Sequence, residues 1–375
     1  MPYSLHFTPL CLAVVALGLQ YHLARRLPEC YRRNALTQLA IGASTLLLVL
    51  GYAFEFPRVN QHFAVSLTTW LQCSALVESI CLIGLWLALA TWRAAPRFQS
   101  TRRNFLKAAG ASFCAAPVVG TAFGILKHNR FQLSEVNIPV PNLPKDLDGL
   151  KIVQITDIHL SPFLSETEFA RAIDMANQTR AHLALVTGDL ISRRGDPLDA
   201  CLRQCARLKA DAGVLGCLGN HETYAEVEGY VTEQGRRLGI GFLRHQARML
   251  RFGAAAINIA GVDYQRIHAR YLKGAEKLVA PGALNILLSH NPDVFPVAAA
   301  QGYVVTIAGH THGGQVDFEL LHEHMSVARF YTPYVRGLYR QGASSVYVSS
   351  GLGTIGVPIR LGVPPEVSLL RLCAT

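Results

Sequence analysis

The sequence predicts an α/β domain behind a block of apolar helices, and three observations predict it. Long apolar stretches occupy residues 5–24, 36–54 and 67–92. From about residue 134 onward, short apolar runs alternate with stretches patterned for helices. Five of those runs end in Asp, His or Asn side chains. Short apolar runs bounded by turn residues read as buried strands. Their alternation with helices is the signature of an α/β domain.

The first block is long enough to cross a bilayer three times, since a helix needs about 20 apolar residues per crossing. Gln72 and Glu78 fall within the third stretch. A carboxyl there is expected to be packed against neighbouring helices and shielded from lipid. The chain carries 35 Lys and Arg against 25 Asp and Glu, a net charge of +10. Residues 1–133 hold 12 basic and 3 acidic side chains; the rest hold 23 and 22. The excess therefore lies beside the apolar spans. A nucleic-acid binder would carry it on the α/β domain instead, so no nucleic-acid partner is expected. Arg25, Arg26, Arg32 and Arg33 follow the first span, and Arg93, Arg97, Arg102, Arg103 and Lys107 follow the third. The second connection has only Glu55 and Arg58. The positive-inside bias puts the first and third connections in the cytoplasm and the N-terminus outside.

Residues 100–107, STRRNFLK, resemble a twin-arginine export signal. A weaker apolar run follows at 108–126, interrupted by Pro117. The alternative is the basic flank of an ordinary fourth span. Either reading carries the α/β domain to the outer face. Ala115-Ala116 makes a poor cleavage site, which favours retention in the membrane. The expected organisation is a transmembrane helical region over 1–99, a signal or fourth span with linker over 100–133, and the α/β domain over 134–375. The expected location is a bacterial inner (cytoplasmic) membrane, crossed several times. The bilayer and the twin-arginine export machinery are the expected partners.

Within the α/β domain, 151–156 leads into Asp157 and His159, and Leu183–Thr187 into Gly188-Asp189. Residues 213–218 lead into Gly219-Asn220-His221-Glu222, 285–289 into His290, and 304–308 into Gly309-His310-Thr311-His312. Loops beyond the carboxyl ends of strands in an open α/β sheet share one crevice. The glycines before Asp189, Asn220 and His310 are expected to let the chain turn sharply there. Mixed carboxylate, imidazole and amide donors suit manganese, iron or zinc. A shared carboxylate can bridge two such ions. His221 is a candidate acid for a leaving oxygen.

The helix signals lie at 165–180, 196–210, 225–238 and 292–301; the first opens with Ser165 and Glu168 as a capping box. Tyr347, Val348 and 366–372 read as late strands. Of nine cysteines, Cys201 and Cys205 share one helix face and read as core thiols.

The order DxH, GD, GNHE, H, GHTH resembles the calcineurin-like metallophosphoesterase superfamily. Residues 309–315 (GHTHGGQ), 351–361 (GLGTIGVPIRL) and Pro364-Pro365-Glu366 resemble its bacterial membrane-associated branch. That branch includes twin-arginine-exported phosphoesterases and lipid-precursor pyrophosphatases. The resemblance runs from about Val136 to the C-terminus. It implies a four-layer αββα sandwich with two metals. Asp157, His159 and His312 would hold one metal and Asn220, His290 and His310 the other. Asp189 would bridge them, and His221 would be the leaving-group acid. One departure is Tyr264, where the pattern has an acidic residue after Gly261-Val262-Asp263. The His322-Glu323-His324 triplet reads as a solvated loop, with a third metal site as the alternative.

The expected function is a membrane-anchored phosphoesterase with two divalent metal ions. It would hydrolyse a phosphomonoester or phosphodiester, on a phosphorylated small molecule or a lipid-linked substrate. A UDP-diacylglucosamine-type pyrophosphatase and a catalytically silent membrane sensor are the alternatives. A nuclease would want a basic groove, and the domain is close to neutral.

Overall fold

The computed structural model describes residues 4–53, 65–94, 124–266, 271–320 and 323–375. They divide into two compact units, one spanning residues 1–126 with 356–358 and the other 127–355 with 359–375.

The first unit is helical. Its long helices are α1 (Ser4–Arg25), α2 (Ala35–Ala53) and α3 (Val65–Ala94). Asn34 caps α2 by accepting the backbone N–H groups of Leu36 and Thr37. Among the described residues, two segments are long and apolar enough to cross a membrane, Ala35–Ala53 and Leu67–Leu87. The described apolar part of α1, Leu10–Arg25, is shorter. Polar side chains inside the bundle pair with one another. Gln20 donates to Ser44 Oγ at 2.5 Å, Thr45 donates to Gln20 Oε1 at 3.0 Å, and Ser44 donates to Glu78. Glu78 thus meets a partner on a neighbouring helix. The twin-arginine-like segment 100–107 and most of the run 108–126 lie outside the described residues.

The second unit contains two six-stranded sheets. The first is ordered β1 (Gln132–Val140), β14 (Glu366–Ala374), β2 (Lys151–Ile155), β3 (Leu183–Thr187), β4 (Val214–Cys217) and β5 (Ile240–Phe242). The second is ordered β12 (Gly337–Gln341), β13 (Ser344–Val348), β9 (Val305–Ala308), β8 (Leu284–Leu288), β7 (Ala255–Gly261) and β6 (Gln246–Phe252). Strands β2 to β5 run parallel, as do β7, β8, β9 and β13.

Alternation along each strand separates the layers. Ile152, Leu183, Leu185 and Leu370 of the first sheet pack with Ile257, Ile286, Leu288 and Ile307 of the second. The neighbouring positions Val153, Ile155, Ala184 and Val186 face the opposite way, against helices α4 (Glu166–Gln178) and α5 (Leu198–Cys205). Beyond the second sheet, Ala260 and Leu287 pack with Ala298 of a short helix, Phe295–Gln301. The result is helix, sheet, sheet, helix, the four-layer sandwich expected.

The capping box at Ser165 and Glu168 is formed in both directions. Cys201 and Cys205 are buried in the core beneath α5. The helices are shorter than their apolar patterns: 196–210 yields Leu198–Cys205, and 225–238 yields Glu228–Arg237. The triplet read as a loop is partly strand. Glu323–Ser326 forms β11, paired antiparallel with β10 (Asp317–Leu320), while His322 lies outside the described residues.

Candidate metal centre

Strands β2, β3 and β4 of one sheet and β8 and β9 of the other release their carboxyl ends into the same crevice. Asp157 and His159 follow β2, Asp189 follows β3, Asn220 follows β4, His290 follows β8, and His310 and His312 follow β9. Six of the seven expected donors are brought together, and the seventh, Asn220, follows the adjoining strand β4. Asp157, His159, Asp189 and His312 form one group, and Asp189, His290 and His310 form a second; within each group the donor atoms lie within 4.8 Å of one another. Asp189 belongs to both.

The distances fit shared cations. His159 Nε2 lies 3.2 Å from His312 Nε2 and 3.5 Å from Asp189 Oδ2. His312 Nε2 lies 3.4 Å from Asp157 Oδ1, and His290 Nε2 lies 3.0 Å from Asp189 Oδ2. Two ligand atoms on a cation with bonds of about 2.1 Å stand roughly 3.0–3.4 Å apart. Asn220 Oδ1 is one of the buried polar atoms that have no hydrogen-bond partner among the described residues. A buried polar atom without a partner is costly. A cation held at this end of β4 would satisfy it. The buried His and Asp side chains are thus compatible with two divalent metal ions.

The backbone is strained to make this arrangement. Asp157 (φ 48°), His159 (48°), Asp189 (55°), His310 (77°) and His312 (52°) are all left-handed. Each such non-glycine residue costs about 1–3 kcal/mol and persists only where the surroundings impose it. The glycines act differently from expectation. Gly188 does turn, with φ 93°. Gly219 is extended, with φ −97° and ψ −172°. A Cβ at Gly219 would lie 2.1 Å from Asp189 Oδ1, and one at Gly309 would lie 2.2 Å from Asp157 Oδ2. These two are required by the close approach of the carboxylates, not by a turn.

Hydrogen bonds fix the ring orientations. His290 Nδ1 donates to Thr187 O at 2.7 Å, which leaves Nε2 facing the carboxylates. His221 Nδ1 donates to Ser192 O at 2.5 Å, which turns its Nε2 towards Asp189 Oδ2, 4.0 Å away. His310 N donates to both carboxylate oxygens of Asp157, at 3.0 and 3.1 Å.

The electrostatics suit cation binding. Burial lowers His310 to about 3 and His221 to about 4, and pushes His312 well below the usual imidazole value. Neutral imidazoles are the form that ligates metal. Burial would lower His290 as well, but the Asp189 and Asp157 charges outweigh it and raise it to about 10. Burial pushes Asp157 up. It acts on Asp189 too, yet His290 and His221 hold that carboxyl well below the usual range.

Two supporting residues escaped the sequence reading. Glu222 had appeared only as the tail of the GNHE motif. Its buried carboxylate accepts Asp189 N at 2.9 Å, Leu190 N at 2.7 Å and Gly219 N at 2.7 Å. It ties the β3 loop to the β4 loop. Arg360 is 3% exposed and donates to the carbonyls of Ser350, Gly351 and Gly353. That loop touches the metal loop: a Cβ at Gly353 would meet Ile158 O at 2.2 Å. Burial lowers Arg360 to about 10, opposed by Asp157, so it remains a cation at neutral pH. An Arg inside an apolar run gives little sign that backbone carbonyls are its partners. Tyr264 forms part of the wall, with its ring centroid 5.5 Å from that of His310 and 6.3 Å from that of His290.

Comparison with known proteins agrees with this geometry. Residues 150–314 match the calcineurin-like phosphoesterase family. The chain is 27% identical over 297 residues to the uncharacterized metallophosphoesterase YkuE of Bacillus subtilis, an alignment covering 74% of this chain and 99% of that protein. It is 31% identical over 254 residues to a transmembrane protein with metallophosphoesterase domain from Danio rerio, covering 64% of this chain and 56% of the fish protein. A metallophosphoesterase of Campylobacter jejuni, Cj0846, is 29% identical over 244 residues, covering 64% of this chain and 63% of its own length.

Glu222→Gln keeps the side-chain size but turns an amide towards backbone N–H groups that need an acceptor. Metal content, read by elemental mass spectrometry on the full chain, should fall below that of the parent. Activity should fall about 10- to 100-fold. Unchanged metal content would show that the clamp is dispensable.

His290 gives a second expectation, for the metal-free chain. An imidazole raised above its unfolded value of about 6.5 stabilises the fold below that pH. The contribution is lost as pH rises through about 10. A cation must displace that proton, so metal uptake near neutral pH should release at least about one proton per chain. A pH indicator in weak buffer measures this. Silence of the indicator on adding manganese would mean that His290 carries no proton to lose.

Proposed function

The chain belongs to the calcineurin-like phosphoesterase family through residues 150–314, and on that footing we propose that it is a membrane-anchored, metal-dependent phosphoester hydrolase acting on a phosphomonoester or phosphodiester. The observation that carries the reading is the convergence of six Asp and His donors in two groups that share Asp189, with Asn220 Oδ1 buried and without a hydrogen-bond partner among the described residues. When bound, two divalent cations would supply Lewis-acid charge for the phosphoryl group and the activation of water. Asp157, His159 and His312 would hold one and Asn220, His290 and His310 the other, with Asp189 common to both. His221 holds or passes a proton at Nε2, the atom facing the site, because Ser192 O keeps the other ring nitrogen protonated. Glu222 keeps Asp189 and Asn220 in register by binding the amides beside them. A catalytically silent sensor would be expected to lack a donor, and none of the seven is lacking.

The apolar helices, and the two transmembrane relatives in animals, support membrane association. We place the catalytic unit on the outer face of a bacterial inner membrane, delivered by the twin-arginine-like segment. A lipid-linked or nucleotide-sugar ester fits an enzyme tethered at the bilayer surface.

With manganese, the full chain in detergent should hydrolyse bis(p-nitrophenyl) phosphate, and a chelator should abolish the activity. Asp189→Ala and His221→Ala should each lower turnover at least about 100-fold. Variants that match the parent would overturn the assigned roles.

A reporter fused to the C-terminus should behave as exported. Arg102→Lys combined with Arg103→Lys should leave it in the cytoplasm. A reporter that is cytoplasmic in the parent reverses the proposed topology.

A further inference from the structure

Beside the metal centre lies a cavity of about 220 Å³, room for roughly seven waters. Its walls include the metal-donor candidate His310, together with Asn291, Asp293, Thr311, Tyr331 and Thr332. His310 links it directly to the reacting centre. The volume suits a small head group.

The charge of this cavity is the informative feature. Asp293 belongs to neither donor group of the metal centre. Its Oδ1 accepts the Thr332 hydroxyl at 2.5 Å, and its backbone N–H is held by Asn291 Oδ1 at 2.9 Å. Among the described residues, no Lys or Arg lines the cavity and no ion pair joins one to Asp293. Asp293 is half-buried, so its charge is incompletely screened by water. Tyr331, 75% exposed, is among the lining residues, and Phe330, next to it in sequence, is 88% exposed. Two more rings are within electrostatic reach: burial and then the Asp293 charge raise both Tyr271 and Tyr334.

Resting on the phosphoesterase reading, we propose that this cavity is a subsite for an ammonium-bearing alcohol group, so that the preferred substrates are phosphoesters of amino alcohols. A carboxylate with no cationic partner among the described residues attracts positive charge, and the exposed Tyr331 ring in the lining can add a cation–π contribution. A second phosphate would meet the Asp293 charge with no Lys or Arg to offset it. A neutral polyol could bond the Thr and Asn groups but would leave the carboxylate charge unpaired. The geometry therefore distinguishes three substrate classes by charge, with the cationic one favoured.

The test compares p-nitrophenyl phosphorylcholine with bis(p-nitrophenyl) phosphate on the manganese-loaded full chain in detergent. The choline ester should have the higher kcat/KM, by about tenfold. Asp293→Asn preserves the acceptor for Thr332 and removes the charge, so the ratio of the two kcat/KM values should shrink about tenfold. A ratio that the variant leaves untouched overturns the subsite. Binding gives a readout free of catalysis. Choline should shift the thermal unfolding of the metal-free parent saturably, Asp293→Asn should weaken that shift, and glycerol should cause none. Equal shifts with choline and glycerol would also overturn the proposal. If neither ester is turned over while choline still binds, the phosphoesterase reading fails and the cationic subsite stands. The source of the head group is decided by offering phosphatidylethanolamine vesicles and soluble glycerophosphoethanolamine. Release from vesicles assigns a lipid, and release from the soluble ester assigns a free metabolite. Refusal of both, with no choline binding, rules the subsite out.

Discussion

Two carboxylates with almost no solvent contact, Asp157 and Asp189, set the terms for the catalytic unit. Their oxygens face imidazole nitrogens, with His290 carrying the nearest positive charge available without metal. Burying an ionised group is expensive unless opposite charge or hydrogen bonds accompany it. Here the accompaniment is arranged from both sheets. His310 N donates to Asp157 from the second sheet's loop, and His221 N donates to Asp189 from the first sheet's. A crevice between two sheets can collect so many donors because five parallel strands point their carboxyl ends at it. A single sheet would have fewer strand ends within reach.

The same requirement explains the backbone. Five donors adopt left-handed φ values, a conformation that disfavours any residue with a Cβ. At about 1–3 kcal/mol each, the combined strain rivals the net stability of a typical domain. It is held by rigid surroundings: strands whose side chains are fully buried on both faces, such as β3 and β9, end two residues before strained donors. Glu222 and Arg360 complete the restraint. One gathers N–H donors with a buried anion, and the other gathers C=O acceptors with a buried cation. Each satisfies backbone groups that the irregular loops leave without strand partners.

Much of this was legible in the sequence. The limits of Leu183–Thr187 and the Ser165 capping box were readable from local pattern, while the sandwich and the grouping of the donors came from the family resemblance that the motif order carries. Other features were not, and the reason is physical in each case. Gly219 and Gly309 are small because carboxylates from β3 and β2 pass within van der Waals distance, and no sequence window contains both partners. Arg360 lies about 200 residues from the Asp157 loop it supports. Helix ends were overextended because apolar periodicity continues past the last hydrogen-bonded turn into residues that pack as loops. Leu208, for example, is buried in the helix-side core although α5 ends at Cys205.

On the membrane-spanning reading proposed above, the helical unit follows different physics. In lipid, burying apolar side chains against one another gains little, since the tails are equally apolar. Helices associate through close contact of small residues and through hydrogen bonds. Both are present. A Cβ at Gly51 would lie 2.3 Å from that of Ala75 and 2.6 Å from Leu71 O, so α2 and α3 approach to a distance only glycine allows. Around this contact, Tyr52 bonds Ser79 at 2.8 Å, and Gln20, Ser44 and Glu78 link all three helices. These polar residues lower the hydropathy of their stretches and make them poorer candidates for a membrane by composition. They are also the groups with direction, so they fix which faces meet and at what height along each helix, which uniform apolar surfaces cannot do.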